Sequence, residues 1–218
     1  DYAEKRRELA KKIGLGRKTQ GFIDLVGQLR FQQRWAQSPR VPETSVMGHM
    51  LMVAMIAYFC SLEAGACEAR LCNNYFGGLF HDLPEVLTRD IISPVKSSVT
   101  GLDALIKEIE KRQLEEKVFP LLPSSWHRQI KYYMEDEFAD KIMVDGAVQK
   151  VAAGDIGALY NEDRFSPIDG TLIKACDHLA AYIEATQSIA HGITSHALKD
   201  GAQNLYRQYK GKQVAGVD

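Results

Sequence analysis

Four cysteines are all that this 218-residue sequence contains, and no two of them form a Cys-x-x-Cys pair. Cys60, Cys67, Cys72 and Cys176 are therefore read as reduced thiols, three of them in apolar helical stretches of the core, and the expected compartment is the cytoplasm. A long hydrophobic run is also missing. The longest, Met50 to Cys60, has 11 residues, too few to cross a bilayer and suited to a buried helix, so no membrane partner is expected. The first residues, Asp-Tyr-Ala-Glu-Lys-Arg-Arg, are charged and lack the apolar stretch of a signal peptide. Nor is there an excess of charge of one sign: 27 Lys and Arg stand against 28 Asp and Glu, a net charge of −1. That balance argues against a protein that holds nucleic acid stably by neutralising phosphates. Internal repeats and low-complexity tracts are absent from the sequence.

What is present is the mixture of an ordinary globular chain, with 45% hydrophobic and 25% charged residues over a length that suits one domain. Few segments alternate with period two, so an all-α class is expected, with residues 1–218 as a single helical domain. Ala3 to Ile13 and Gly21 to Arg30 read as two helices. Ala36 to Thr44, with two prolines, reads as a loop. Thr44 or Ser45 caps a helix to about Ala64 that is apolar on most sides and is expected in the middle of the fold. Glu68 to His81 is a further helix, and Pro84 suits the first turn of a short one. Ser93-Pro94 ends regular structure. Leu102 to Phe119 is an amphipathic surface helix, and Ser124 caps one through about Phe138. Asp140 to Pro167 is read as one helix or an irregular excursion. Asp169 or Thr171 starts a strong helix to about Ala190, a last one spans Ser195 to Tyr209, and the C-terminal residues are expected to fray.

The stretch Gly77-Gly78-Leu79-Phe80-His81-Asp82-Leu83-Pro84-Glu85 carries the chemistry. Adjacent helical positions point about 100° apart, so His81 and Asp82 reach one ion only near a helix terminus or bend, which the two glycines and Pro84 suggest. Glu85 follows Asp82 by three residues and faces the same side. A His-Asp dipeptide alone is weak evidence, because a helix end with a capped histidine explains it equally well. His49 inside an apolar helix and Asp177 inside another add weight, since an unpartnered imidazole or carboxylate there is costly. Two histidines and two aspartates suit one divalent ion (Mn, Co, Fe, Zn or Mg) with open positions for water and substrate.

The order His, His-Asp, Asp on successive helices resembles the HD superfamily of metal-dependent phosphohydrolases. More narrowly, His81-Asp82-x-x-Glu85-Val86-Leu87-Thr88-x-Asp90, then Ser93-Pro94-Val95-Lys96, resembles the bacterial 5′-deoxynucleotidase branch. Arg34-Trp35 upstream, and Lys174-Ala175-x-Asp177 running on to Ala181-Tyr182, match that branch as well. The resemblance covers roughly 20–100 and 170–190, with the domain core at about 20–100 and 170–210 and 101–169 as a helical insertion or elaboration. It implies an HD-domain helical bundle with the metal between core helices, and His49, His81, Asp82 and Asp177 as the ligands. It implies Arg34 on the substrate phosphate, Trp35 on the sugar or base, Ser93 and Lys96 also binding the nucleotide, and Glu85 and Asp90 as the catalytic carboxylates. The expected activity is release of phosphate from nucleoside 5′-monophosphates, deoxyribonucleotides foremost, by a homodimer. The alternatives are hydrolysis of another phosphate ester or a pyrophosphate, or a non-catalytic sensor that binds metal and nucleotide.

Three departures from the pattern stand out. Gly48 occupies the place of an acidic residue before the first histidine, Leu83-Pro84 replaces a small pair after His-Asp, and the segment 101–169 is long. His127, His178, His191 and His196 have no place in the motif and are read as structural or surface residues. Met47, Met50, Met52 and Met55 are read as ordinary packing on a helix.

Overall fold

In the computed structural model, which describes residues 2–36, 38, 40–88 and 101–217, helices account for nearly all regular structure. Helix α1 (Tyr2–Val26) runs into a 3₁₀ turn (Gly27–Arg30) and is followed by α2 (Val46–Glu63), α3 (Glu68–Phe80) and a short α4 (Glu85–Thr88). Helix α5 (Leu102–Gln113) widens into a π-helical stretch (Leu114–Val118), and α6 (Ser124–Met134) follows. A hairpin of β1 (Lys141–Val144) and β2 (Ala147–Lys150), then α7 (Asp155–Leu159), lead to α8 (Gly170–Ala190) and α9 (His196–Tyr209). The class is all-α, as expected.

The central helix starts at Ser45, whose side-chain oxygen accepts from Gly48 N at 3.0 Å and so satisfies one of the orphan amides of the first turn. Helix α2 then packs on α3 and α8. Two glycines make that contact possible. A Cβ at Gly78 would meet the backbone of Ala54 at 3.0 Å, and one at Gly77 would meet Ile173 Cδ1 at 2.7 Å. The glycines remain helical, so their role is close approach of three helices rather than the bend expected of them.

A polar thread fixes the same three helices. Ser61 accepts from Asn74 Nδ2 (2.8 Å), Asn74 Oδ1 accepts from Asp169 N (2.9 Å), and Asp169 Oδ2 pairs with buried Arg70 Nη2 at 2.7 Å. The other oxygen of Asp169 caps α8 by accepting from Leu172 N (2.9 Å). Buried Asp140 accepts from the N–H and hydroxyl of Thr171 at 2.8 and 3.0 Å. A Cβ at Gly170 would lie 2.3 Å from the backbone of Phe138, so only glycine fits where this segment crosses the start of α8. Because these groups are buried and hydrogen-bonded to one another, Arg70 Nε apart, they set the rotation of α8, and with it the direction of Asp177.

Several expected elements differ. The two N-terminal helices are one continuous rod: Gly14 and Gly16 are exposed, and a solvated glycine costs a helix only about 1 kcal/mol. Helix α6 stops at Met134, four residues early. The segment left open between helix and irregular structure contains the hairpin, turned by Asp145 and Gly146 at φ 49° and 78°, an Asp-Gly pairing suited to that left-handed turn. Only Cys176 is a core thiol. Cys60 and Cys67 are half-buried and Cys72 is exposed, and all four are free. The C-terminal residues do not fray: Val214 and Val217 bridge each other and Ala215 packs on the Val53–Leu172–Cys176 cluster. Finally, α2 is central on one side only. By length and composition it passes as a membrane-spanning helix, but its inner face is the core of the fold while its other side is exposed.

Candidate metal centre

His49 extends from the inner face of α2 and is fully buried. Its Nε2 lies 2.9 Å from Asp177 Oδ1 on α8 and 4.0 Å from Asp82 Oδ2. His81 stands at the C-cap of α3, where the helix gives way to a turn closed by Leu83 N to Phe80 O and Glu85 N to Asp82 O, both 3.1 Å. That termination lets adjacent residues aim at one point: His81 Nε2 is 3.2 Å from Asp82 Oδ2 and 3.9 Å from Asp177 Oδ1. The ligand atoms of His49, His81 and Asp177 lie within 4.8 Å of one another.

These donors fit a divalent cation. His81 Nδ1 donates to Gly78 O at 2.7 Å, which leaves the Nε2 lone pair as the free valence of the neutral ring. This Nε2 is buried, makes no hydrogen bond, and faces two carboxylates. Atoms each about 2.1 Å from one ion stand about 3.0–3.4 Å apart, close to the 2.9 and 3.2 Å of the two shorter separations, while the other two are 3.9 and 4.0 Å. Two nitrogens and two carboxylates make a mixed set suited to Mn, Fe, Co or Zn.

The electrostatics agree with a cation-seeking centre. Burial raises the Asp82 pKa, but His81, Arg34 and His49 outweigh it and hold the carboxyl well below its usual range. Asp177 is lowered likewise, burial being overcome by its hydrogen bond to His49 and the charge of His81. For His81, burial lowers the pKa and the carboxylates of Asp82 and Asp177 more than restore it, to about 9. Two anions thus share the site with a proton that a metal ion would replace.

Arg34 reaches this point from the loop between the 3₁₀ turn and α2. Arg34 N donates to Thr44 O (2.9 Å), Val46 N donates to Gln32 O (2.8 Å), and Gln33 bridges Ser45, so the loop is laced to the first turn of α2. Arg34 Nη1 is 2.8 Å from Asp82 Oδ2. Trp35 is held at φ 59°, a left-handed conformation that a bulky side chain rarely adopts. Its ring packs with Ala185, Leu198 and Ala202, between α8 and α9. Glu85 is buried at the start of α4, one turn beyond Asp82. Asp90, Ser93 and Lys96 lie outside the described residues.

Two residues escaped the sequence reading. Glu184, 2% exposed, accepts from His49 Nδ1 through Oε1 at 3.1 Å. Its Oε2 accepts from Arg40 Nη1 (3.2 Å) and Trp35 Nε1 (3.3 Å) and lies 3.7 Å from Arg34 Nε. Buried Arg40 also donates to Thr44 Oγ1 (2.9 Å) and Ser188 Oγ (3.4 Å). The signal for Glu184 was its spacing: seven residues after Asp177, two turns along the same face of an apolar helix. Arg40, inside a proline-bounded loop, gave none. Gly48 is exposed, and a Cβ there would meet Ser45 Oγ at 3.2 Å, so the carboxylate on the Nδ1 side of His49 comes from α8.

Three of the other histidines have structural partners: His178 with Tyr209 Oη (2.7 Å), His127 with Leu122 O (3.2 Å) and His191 with Gln187 O (2.8 Å). Segment 101–169 does approach the centre. Residues of α5 and α6 line a cavity of about 220 Å³ that reaches His81 and Pro84.

A helical fold with two histidines and two aspartates converging between its core helices defines a class. The chain belongs to the HD domain family, which matches it over residues 26–206. Domains of this family bind divalent metals. The 5′-deoxynucleotidase YfbR of Escherichia coli O1:K1 is 26% identical over 182 residues, covering 78% of this chain and 74% of that protein. An HD-domain phosphohydrolase from Listeria innocua superposes with a TM-score of 0.66 at 18% identity, covering 89% of this chain and 82% of the other. DatZ, an HD phosphohydrolase of cyanophage S-2L solved with dA and one catalytic Zn²⁺, superposes with a TM-score of 0.55 at 17% identity, covering 84% and 79%.

Proposed function

We propose that this protein is a cytoplasmic, metal-dependent phosphomonoesterase that releases phosphate from nucleoside 5′-monophosphates, deoxyribonucleotides foremost. The observation that carries the reading is the convergence of His49, His81, Asp82 and Asp177 beside the guanidinium of Arg34. Similarity to YfbR and the dA bound in DatZ support the substrate class.

His49, His81, Asp82 and Asp177 would hold one divalent ion, which when bound supplies a Lewis acid and a water of lowered pKa. Arg34 binds phosphoryl oxygens, its planar fork exchanging Asp82 for the more highly charged ester. The same guanidinium stabilises charge on the transferring group. Trp35 bounds the nucleoside side, and Ser93 and Lys96 contribute to holding the nucleotide. Glu85 or Asp90 protonates the leaving 5′-oxygen. Glu85 suits this part because it is buried one turn beyond Asp82.

The cavity against His81 bears on the alternative substrates. Its lysines are paired, Lys107 with Glu137 (3.2 Å), Lys111 with Glu135 (3.5 Å) and Lys131 with Glu115. Lysines neutralised in this way favour a monophosphate over a pyrophosphate. The homodimer would form on the outer face of α2, where Met55, Tyr58 and Phe59 are exposed beside Leu71 and Tyr75 of α3. The deciding experiment measures phosphate release from ribo- and deoxynucleoside monophosphates by chelator-stripped protein with Mn²⁺, Co²⁺, Zn²⁺ or Mg²⁺ added. Metal-dependent release favouring deoxynucleotides is expected. Nucleotide binding without release would make the protein a sensor, and release only from another ester would change the substrate.

A further inference from the structure

We infer that Glu184 is the positioning residue of this site, and that it couples the metal ligand His49 to the loop carrying Arg34. The inference rests on the reading of His49 as a ligand and Arg34 as the phosphate-binding residue, and adds what holds both in place.

The two oxygens of Glu184 serve different halves of the site. Oε1 accepts from His49 Nδ1 at 3.1 Å. An ionised carboxylate only accepts, so the proton of that ring sits on Nδ1, and the Nε2 lone pair is directed to the centre where Asp177 and Asp82 converge. The pairing of the other oxygen supports a carboxylate, since Oε2 lies 3.2 Å from Arg40 Nη1 and 3.7 Å from Arg34 Nε. Among the described residues, Oε2 accepts from two donors of the loop, Arg40 Nη1 at 3.2 Å and Trp35 Nε1 at 3.3 Å, and is ion-paired with Arg34 Nε at 3.7 Å. Two of these three residues are charged and one has a strained backbone, held further by Ser38 N donating to Trp35 O at 2.7 Å. A loop with one residue in a left-handed conformation needs such an anchor to keep one shape. Arg40 ties the anchor back to both walls through Thr44 and Ser188.

A neutral amide cannot replace this carboxylate. In Glu184→Gln, the carbonyl oxygen can meet either His49 or the loop donors. If it faces the loop, where there are two donors and a second guanidinium, the NH₂ group meets Nδ1 and forces the other tautomer, with Nε2 protonated and unable to ligate. If it faces His49, the NH₂ group points at Arg40 and Trp35 and the loop loosens. Arg40→Met separates the halves, since it releases the loop and leaves Oε1 on His49.

The test measures the affinity of chelator-stripped protein for Mn²⁺ and Zn²⁺ by competition with a chromogenic chelator, together with KM and kcat for dAMP. Circular dichroism verifies that each variant is folded. Glu184→Gln is expected to weaken metal binding by about 10-fold or more, the range for loss of a group that orients a histidine ligand. Glu184→Asp should recover part of that loss. Arg40→Met should raise KM several-fold while metal affinity stays within about twofold of the wild type. Wild-type metal affinity and KM in a folded Glu184→Gln protein would overturn the inference, as would Arg40→Met weakening the metal as much as Glu184→Gln. If Glu184→Gln does not fold, Glu184→Asp with unchanged metal affinity and KM overturns it equally. A wild-type protein that binds no metal would instead remove the underlying reading of His49.

Discussion

Helix α2 has two faces that differ little in hydropathy and greatly in fate. The inner face, with Val46, His49, Val53, Ala54, Ala57 and Ser61, is buried against α3 and α8. The outer face, with Leu51, Met55, Tyr58, Phe59 and Leu62, is 38–62% exposed. Apart from buried Met50, the larger apolar side chains are therefore outside and the smaller ones inside. Close crossing of helices explains the inversion. Ala54 touches Gly78 almost backbone to backbone, and a large side chain at either position would force α3 away and carry His81 off the centre. Burial on the inner face serves geometry, and the large residues outside remain exposed.

The largest effect that sharpens this contrast is expected at His49. His49→Ala should remove activity by more than about 1000-fold, beyond the 10–100-fold of outer-shell changes, and lower metal content measured by atomic absorption. Asp82→Ala should abolish metal binding and activity together, and full metal occupancy in that variant would take Asp82 out of the ligand set.

A buried charge away from the helix offers a control for burial itself. Lys141 on β1 is 2% exposed, its ammonium donating to the carbonyls of Glu135 and Asp136. Burial lowers its pKa to about 8, against the opposing pull of Asp136, Glu137 and Glu135. Between about 8 and about 10.4 the unfolded chain holds a proton that the folded chain has lost, so this residue makes stability rise with pH across that window, by up to about 3 kcal/mol. Below pH 8 both states are protonated and its contribution is flat. Denaturant melts at pH 7.5, 9 and 10 should show the rise in the wild type relative to Lys141→Met, and parallel curves would refute it.

At the helix crossing, Gly78→Ala should cost about 1–3 kcal/mol, the usual range for overpacking, and should reduce metal affinity because α3 carries His81. Loss of stability with metal binding intact would show that the crossing and the site are independent. The smallest effect is expected outside. Phe59→Ser should change monomer stability by no more than about 0.5 kcal/mol while lowering self-association in sedimentation velocity. A large loss of stability there would mean that the two faces of α2 are not so different.

Much of the site was legible because metal chemistry restricts residue types strongly. An imidazole within the run Met50–Cys60's own helix, and a carboxylate in the apolar stretch around Asp177, are costly without partners, so each gained meaning beside the His81-Asp82 pair. Glu184 belonged to the same signal at twice the helical period, yet a glutamate near the end of a long helix also reads as a solvated charge. Only the approach of His49 and the loop from opposite sides distinguishes the two. Arg40 could not be found by pattern at all, because its partners Thr44, Glu184 and Ser188 come from three segments. The hairpin was signalled by Asp145-Gly146, but its strands are four residues each and too short for alternation to register.

By itself the sequence determined the helical class, narrowed two helix starts to Thr44 or Ser45 and Asp169 or Thr171, and offered four candidate ligands, since periodicity, capping and metal preference are local or nearly local properties. The tertiary structure decided which face of α2 is inside, which carboxylate orients His49, and how Arg34 reaches Asp82. Those depend on distances of a few ångströms between groups far apart in the chain, set by two glycines and one buried polar thread, and no local pattern encodes them.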